Sequence, residues 1–63
     1  MKVGELRKKD KKELEKMLRD RQRSLNELRF QLAMNKIKNV SEIKKTKREI
    51  ARILTILKEK ENA

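Results

Sequence analysis

The stretch that decides the fold lies in the middle of the chain and reads Leu28-Arg29-Phe30-Gln31-Leu32-Ala33-Met34-Asn35-Lys36-Ile37-Lys38-Asn39. We interpret it as the end of one helix, a turn over about residues 35–39 and the start of a second helix. Asn35 suits a helix stop because asparagine tolerates a positive φ angle better than most residues. Asn39 suits a helix start because Glu42 follows at capping-box spacing. So short a turn predicts antiparallel neighbouring helices.

The first helix is predicted over about residues 11–34. Asp10 can accept a hydrogen bond from a backbone amide at the helix start, and Glu13 follows at capping-box spacing. Apolar residues then recur at steps typical of one buried helical face. This first seam consists of Leu14, Met17, Leu18, Leu25, Leu28 and Leu32. Arg21 is the polar residue on the seam, and we expect its stem to lie on the seam while its head reaches water.

The second helix is predicted over about residues 40–60. Its apolar stripe consists of Ile43, Ile50, Leu54 and Leu57, with Thr46 and Ile53 as flanking residues. Before the first helix, Val3 and Leu6 can share one face of a short helical turn, and Ile37 in the loop can cover the end of the core. The predicted fold class is therefore all-α: an antiparallel two-helix hairpin with a short N-terminal helical piece, forming one small domain over residues 1–63.

The charge of the chain indicates the class of its partner. Lysine and arginine total 20 against 10 acidic residues, a net charge of +10 on 63 residues. This predicts a polyanionic partner, with nucleic acid first and an anionic membrane surface second. Cysteine and histidine are absent, which excludes a disulfide framework and a Cys/His zinc site. Apolar runs are too short for a membrane span and the N-terminus lacks a signal-peptide core, so we expect an intact, soluble, cytoplasmic chain.

Catalytic arrangements are missing from the sequence. Ser24 and Ser41 have no histidine or cysteine with which to form a relay. A glycine-rich phosphate loop is absent, and the carboxylates lack convincing metal spacing. We therefore predict a protein that is not an enzyme and has no cofactor, no metal site and no small-molecule substrate.

Cations align on the helix faces opposite the apolar seams when residues are placed at about 100° per step. The outer strip of the first helix consists of Lys12, Lys16, Arg19, Arg23, Asn26 and Phe30. The outer strip of the second helix consists of Lys44, Lys45, Arg48, Arg52 and Thr55. Cations neutralise phosphates and an aromatic ring can stack on an unpaired base. Both strips are therefore candidate RNA-binding surfaces.

Structural explanations stand beside these candidates. A row of charges on a helix is equally well explained as a solvated face. Phe30, the one aromatic residue, could cap the core beside the turn, but its position opposite the seam favours a contact surface. Arg29 lies nearer the seam edge and could contact a ligand or brace the hairpin.

The central stretch and the second helix resemble a known family, that of bacterial large-subunit ribosomal protein twenty-nine. The resemblance is carried by Leu-Arg-Phe-Gln-Leu-Ala at residues 28–33, the loop ending in Asn39, and Ile-Ala-Arg-Ile at residues 50–53, and it covers nearly the whole chain. It implies a helical hairpin in the cytoplasmic ribosome that binds large-subunit ribosomal RNA near the polypeptide exit tunnel. It implies ribosomal protein twenty-three and nascent-chain factors as further partners. Arg29 and Gln31 of the hexapeptide join the RNA-binding candidates.

The chain departs from the family pattern at two positions. Asn35 stands where the family commonly has glycine, so the turn could differ slightly. Leu54 stands where a basic residue is common, so we expect a more apolar second stripe and one cation fewer for RNA.

Two other functions remain as alternatives. The first is a basic amphipathic helical module that binds an anionic membrane or an acidic partner protein, although the apolar face lacks the tryptophan and phenylalanine typical of interfacial helices. The second is a coiled-coil dimer, although the seam covers only about three heptads and carries Arg21.

Overall fold

The computed structural model describes residues 2–37 and 40–62. Within these residues the chain forms α1 (Val3–Lys8), α2 (Lys11–Ala33) and α3 (Ser41–Glu61), and it forms no β-strand. The two long helices pack along each other, and α1 packs against α3. Ion pairs join Lys11 to Glu61 and Arg21 to Glu49, so the helices run antiparallel. The predicted all-α hairpin with a short N-terminal helical piece is confirmed.

Both ends of α2 follow from local sequence signals. At its start, the Glu13 backbone amide donates a 2.8 Å hydrogen bond to the Asp10 carboxylate, as the capping spacing predicts. At its end, Asn35 has a φ angle of 59°. The amide of Lys36 donates to the Gln31 carbonyl at 2.9 Å, and the Asn35 amide donates to the Leu32 carbonyl at 3.0 Å. These two bonds form a Schellman motif, so asparagine supplies the left-handed residue that is usually glycine.

The start of α3 lacks a side-chain cap. Val40 occupies the N-cap position and makes no capping hydrogen bond through its side chain. The predicted cap, Asn39, lies outside the described residues, so its role stays a prediction. The helix begins one residue after the predicted start and ends at Glu61, one residue beyond the predicted end.

The densest packing lies at the base of the hairpin, where α1, the start of α2 and the end of α3 meet. The buried cluster there consists of Leu6, Leu14, Ile53, Ile56 and Leu57, with Met17 and Leu18 partly buried against it. Toward the turn, α3 buries Ile43 and Thr46, whereas Leu25, Leu28 and Leu32 of α2 are only partly buried. The hairpin is therefore tightly packed at its base and more open toward the turn.

The predicted stripe of α3 was centred on the wrong residues. Leu54 is 48% exposed, whereas Ile53, assigned to the flank, is fully buried. The buried row runs through 43, 46, 53 and 57, with Ile50 partly buried, and Ile56 joins it because α1 covers that edge of α3. Leu54 points to the uncovered edge. The expectation that Leu54 makes the second stripe more apolar is therefore wrong.

The Arg21 side chain stays 42% exposed, in line with the prediction, but its head group also makes a contact that was not predicted. Its guanidinium Nε lies 3.2 Å from Glu49 Oε2, so the head group pairs across the hairpin rather than simply reaching water. The Glu49 side chain is only 13% exposed, so this pair is more buried than the Arg7–Glu59 and Lys11–Glu61 pairs. A partly buried pair at this point fixes the register of α2 against α3.

Candidate nucleic-acid interface

The outer strip of α2 is exposed along its whole length, as predicted. Its members are Lys12, Lys16, Arg19, Arg23, Asn26 and Phe30. At 1.5 Å per residue the cations from Lys12 to Arg23 extend over about 16 Å of one helix face. Phe30 is 63% exposed and ends the strip next to the turn. The alternative in which Phe30 caps the core is therefore wrong.

The outer strip continues one turn further than the sequence analysis assigned. Met34 follows Phe30 at a four-residue step and is 50% exposed. The pair forms a small apolar tip beyond the cations. The helical spacing that defines the strip also places Met34 on it. The sequence analysis did not include Met34 because a methionine at the end of a helix is more often a core residue.

The outer strip of α3 has a cationic part and a polar part. Lys44, Arg48, Arg52 and Thr55 are all exposed. The Thr55 hydroxyl donates a 2.9 Å hydrogen bond to the Ala51 carbonyl, so toward a ligand this oxygen is an acceptor. Arg52 and Thr55 also border a shallow pocket of about 190 Å³ against Val3 of α1. This strip is therefore bounded by α1 near the base of the hairpin.

The two outer strips face in opposite directions. Each lies on the side of its helix that points away from the other helix, and the molecule is a rod of 43 × 17 × 15 Å. Because the ion pair between Arg21 and Glu49 sets the register, Arg23 and Arg48 lie at nearly the same level on opposite sides. A single flat surface cannot contact both strips, so the arrangement suits two separate polyanionic segments.

Three predicted residues lie at the borders of these strips or beyond them. Gln31 is partly buried and Lys45 is exposed, and both line an open groove of about 640 Å³ between α2 and α3 near the turn. Lys45 shares this groove with Glu42 and Glu49 and also lies seven residues before Arg52, so it stands at the border between the groove and the outer strip of α3. Arg29 is exposed on the edge of α2 away from the groove.

A different set of cations holds the helices together. Arg7 pairs with Glu59 at 3.3 Å and Lys11 pairs with Glu61 at 3.7 Å, both at the base of the hairpin. Arg21 pairs with Glu49 nearer the middle. None of these three cations belongs to an outer strip.

The described residues, 2–37 and 40–62, show neither of two other kinds of feature. No group of three or more acidic side chains there is arranged to hold a metal ion. No helix in the same ranges is both long and apolar enough to cross a membrane.

Comparison with known proteins assigns the chain to a family. The model of the family described as ribosomal L29 protein matches residues 4–60. The chain belongs to the ribosomal L29 protein family. It is 57% identical over 61 residues to the large ribosomal subunit protein uL29 of Thermotoga maritima, covering 97% of this chain and 92% of the relative. The uL29 proteins of Kosmotoga olearia (56% identical, 97% and 92% covered) and Ruminiclostridium cellulolyticum (48%, 97% and 91%) are also similar.

Family membership decides several of the sequence-based predictions. It confirms the resemblance drawn from residues 28–33 and 50–53. Ribosomal L29 proteins are structural components of the ribosome and not enzymes, so this chain is a non-enzymatic protein of the cytoplasmic ribosome. The assignment of individual residues to RNA contact stays a prediction.

Proposed function

We propose that this chain binds large-subunit ribosomal RNA near the polypeptide exit tunnel, using the outer strips of α2 and α3 on two separate RNA segments. Its broader role as a structural constituent of the large ribosomal subunit follows from its family. The observation that carries the RNA-binding proposal is the pair of exposed cationic strips on opposite sides of a rod that is only 15–17 Å thick.

The proposed mechanism is electrostatic bracing. Each strip neutralises phosphates and releases the counterions condensed on the RNA, which makes binding favourable and dependent on salt. RNA segments on both sides of the rod would otherwise repel each other, and a chain of net charge +10 between them removes that repulsion. The protein needs no chemical step for this task, which agrees with its lack of catalytic groups.

The apolar tip adds a contact of a different kind. Phe30 and Met34 are both at least half exposed beyond the cations of α2. An exposed ring can stack on a base or pack on a sugar, and such stacking is worth about 1–3 kcal/mol per base. The tip therefore supplies affinity that does not depend on salt, in addition to the phosphate contacts.

The location and the protein partners rest on the family likeness. Family members are proteins of the large ribosomal subunit, and the proposed position near the exit tunnel brings ribosomal protein twenty-three and nascent-chain factors into reach. These contacts are part of the proposal. The exposed surface outside the two strips, including the groove near the turn, is where such proteins would find room.

The test is binding of the purified chain to large-subunit ribosomal RNA over a salt series, with excess transfer RNA as competitor. Each of three triple variants loses the same charge. The α2 variant is Lys16→Gln, Arg19→Gln and Arg23→Gln. The α3 variant is Lys44→Gln, Arg48→Gln and Arg52→Gln. The matched control is Lys8→Gln, Lys47→Gln and Lys58→Gln, which changes exposed cations outside both strips.

The salt dependence distinguishes a built interface from a general polycation. Each lost phosphate contact lowers the slope of log K against log salt by about 0.7–0.9. Each strip variant should therefore reduce the magnitude of this slope by about 2, and the control variant should reduce it by less than about 1. Equal losses in all three variants, or binding abolished by transfer RNA, would contradict the proposed interface.

A further inference from the structure

The small pocket between α1 and α3 lies at the base of the hairpin, beside the outer strip of α3. Val3 and Arg7 line it from α1, and α3 lines it from Ala51 to Glu59, a length of about 12 Å. Its volume is about 190 Å³. Pockets that hold drug-sized ligands measure about 300–1,000 Å³, so this one suits a single small ring system.

Carbon atoms form much of the pocket wall. Val3 is 37% exposed, Ile56 is only 2% exposed, and the methyl group of the exposed Ala51 lies between them and solvent. A phosphate held against such a wall would lose hydration without gaining hydrogen bonds, which is costly. The flat face of a nucleobase loses little by the same contact. The wall therefore favours a base over the RNA backbone.

An arginine held in a fixed plane forms one side of the pocket. Arg7 donates two 3.3 Å hydrogen bonds to Glu59, from Nε to Oε2 and from Nη2 to Oε1, in a fork-to-fork pair. The end of α1 is itself fixed, because the Lys60 ammonium donates a 3.1 Å hydrogen bond to the Arg7 carbonyl and Leu6 is buried in the core. The Arg7 side chain stays 60% exposed. Its guanidinium plane is therefore ready for stacking, as in many contacts between arginine and unpaired bases.

The hydrogen-bonding atoms beside the wall favour one group of bases. The Thr55 hydroxyl donates its hydrogen to the Ala51 carbonyl at 2.9 Å, so its oxygen is left as an acceptor. The Glu59 carboxylate can only accept. Adenine, cytosine and guanine carry an exocyclic amino group that donates to such acceptors, whereas uracil carries none.

The pocket is continuous with the proposed RNA surface. Arg52 and Thr55 belong both to the outer strip of α3 and to the pocket lining. An RNA backbone that follows the strip from Lys44 and Arg48 therefore passes the mouth of the pocket. A phosphate at Arg52 would leave its base within reach of the apolar wall.

We propose that this pocket receives one unpaired adenine, cytosine or guanine of the RNA segment bound along α3. The base packs on Val3 and Ala51 and stacks on the Arg7 guanidinium, while Arg52 binds the adjacent phosphate. The proposal rests on the proposed function, because the strip must bind RNA for a base to reach the pocket. It adds that the α3 side reads an unpaired nucleotide as well as contacting phosphates.

The first test fills the pocket without changing charge. Ala51→Leu adds three carbon atoms at its mouth, and Gln22→Leu places leucine at an exposed position of α2 outside the pocket and both strips. Binding to large-subunit ribosomal RNA is measured over a salt series, and circular dichroism checks the helix content. Ala51→Leu should weaken binding at least about fivefold at every salt concentration with an unchanged slope, because a base contact is lost and no phosphate contact. Gln22→Leu should stay within about twofold of the parent.

A second variant tests the stacking contact. Arg7→Lys keeps the positive charge beside Glu59 but lacks the planar guanidinium. It should weaken binding several-fold, again without a change in the salt slope. Binding equal to the parent in both Ala51→Leu and Arg7→Lys would overturn the proposal.

Chemical probing of the RNA identifies the base directly. Reagents that modify the Watson–Crick edges of unpaired bases are applied to complexes of the parent chain and of Ala51→Leu, at concentrations that saturate the RNA. One unpaired adenine, cytosine or guanine should be protected by the parent and reactive with Ala51→Leu, while all other protections stay the same. Identical protection by both chains, or a difference confined to uracil, would overturn this proposal alone. Loss of parent binding to excess transfer RNA would overturn the proposed function and this proposal with it.

Discussion

Replacing Ile53 by alanine should destabilise the hairpin far more than replacing its neighbour Leu54. Ile53 is 0% exposed and Leu54 is 48% exposed. Removing about three buried carbon groups at about 0.8 kcal/mol each costs about 2.4 kcal/mol, and the cavity left behind gives an expected loss of about 2–5 kcal/mol. At position 54 much of the side chain is already in water and alanine favours the helix, so the loss should stay below about 1 kcal/mol.

The assay is urea unfolding of both variants and the parent chain, followed by far-UV circular dichroism. A domain of this size has a free energy of unfolding of about 3–9 kcal/mol, so Ile53→Ala should remove a large share of the stability of the chain. With a slope of about 1 kcal/mol per molar urea, its midpoint should fall by about 2 M or more, and that of Leu54→Ala by less than about 1 M. Equal losses, or a larger loss for Leu54→Ala, would refute the placement of the core on the edge that α1 covers.

Three further substitutions test individual contacts. Asp10→Ala removes the 2.8 Å bond to the Glu13 amide and should lower the free energy of unfolding by about 1 kcal/mol in thermal unfolding; an unchanged midpoint would mean that the cap contributes nothing. Arg21→Met leaves the Glu49 carboxylate, which is only 13% exposed, without its partner and should lower the free energy of unfolding by about 1–3 kcal/mol. Arg7→Met breaks an exposed pair and should lower it by less than about 1 kcal/mol. Equal midpoints of urea unfolding for the two variants would contradict this ranking. Phe30→Ala should weaken binding to large-subunit ribosomal RNA by about fivefold or more, because stacking on a base contributes about 1–3 kcal/mol. The helix content should not change. Loss of helix content with intact binding would show that the ring supports the fold instead.

The sequence was sufficient where structure depends on local interactions. The start of α2 needs only Asp10 and the nearby Glu13 amide. Its end needs only the tolerance of Asn35 for a φ angle of 59°. The exposure of Phe30 follows from its angle relative to the leucine seam, because every seam residue lies on the other side of the same helix. In each case one helix contains all the information.

The sequence was insufficient where the outcome depends on the position of another helix. Ile53 and Leu54 both lie near the apolar face of α3, and only the packing of α1 on the side of Ile56 decides which of them is buried. Similarly, the spacing of Lys45 groups it with Arg48, but the groove places it beside Glu42 and Glu49. Burial at the edge of a helix depends on tertiary contacts that helical spacing alone does not report.

The groove itself could not be predicted from composition. It exists because α1 is only six residues long and packs at the base of the hairpin, where Arg7 lies beside Glu59, so it covers part of the edge of α3 and leaves the remainder open. From the sequence alone, carboxylates such as Glu27 and Glu42 are expected to pair with nearby lysines on the same helix. Their arrangement around one open groove appears only when the hairpin is folded.

The presence of RNA on both sides of the rod can be tested directly. Arg23→Cys and Arg48→Cys are matched variants, because each removes one exposed cation at nearly the same level of the hairpin. An iron chelate tethered to either thiol generates hydroxyl radicals in assembled large subunits, and the cleaved ribosomal RNA nucleotides are mapped by primer extension. If RNA lies on both sides of the rod, strong cleavage is expected from both positions at two non-overlapping sets of nucleotides. Cleavage of the same nucleotides from both positions, or cleavage from only one of them, would contradict a protein that braces two RNA segments.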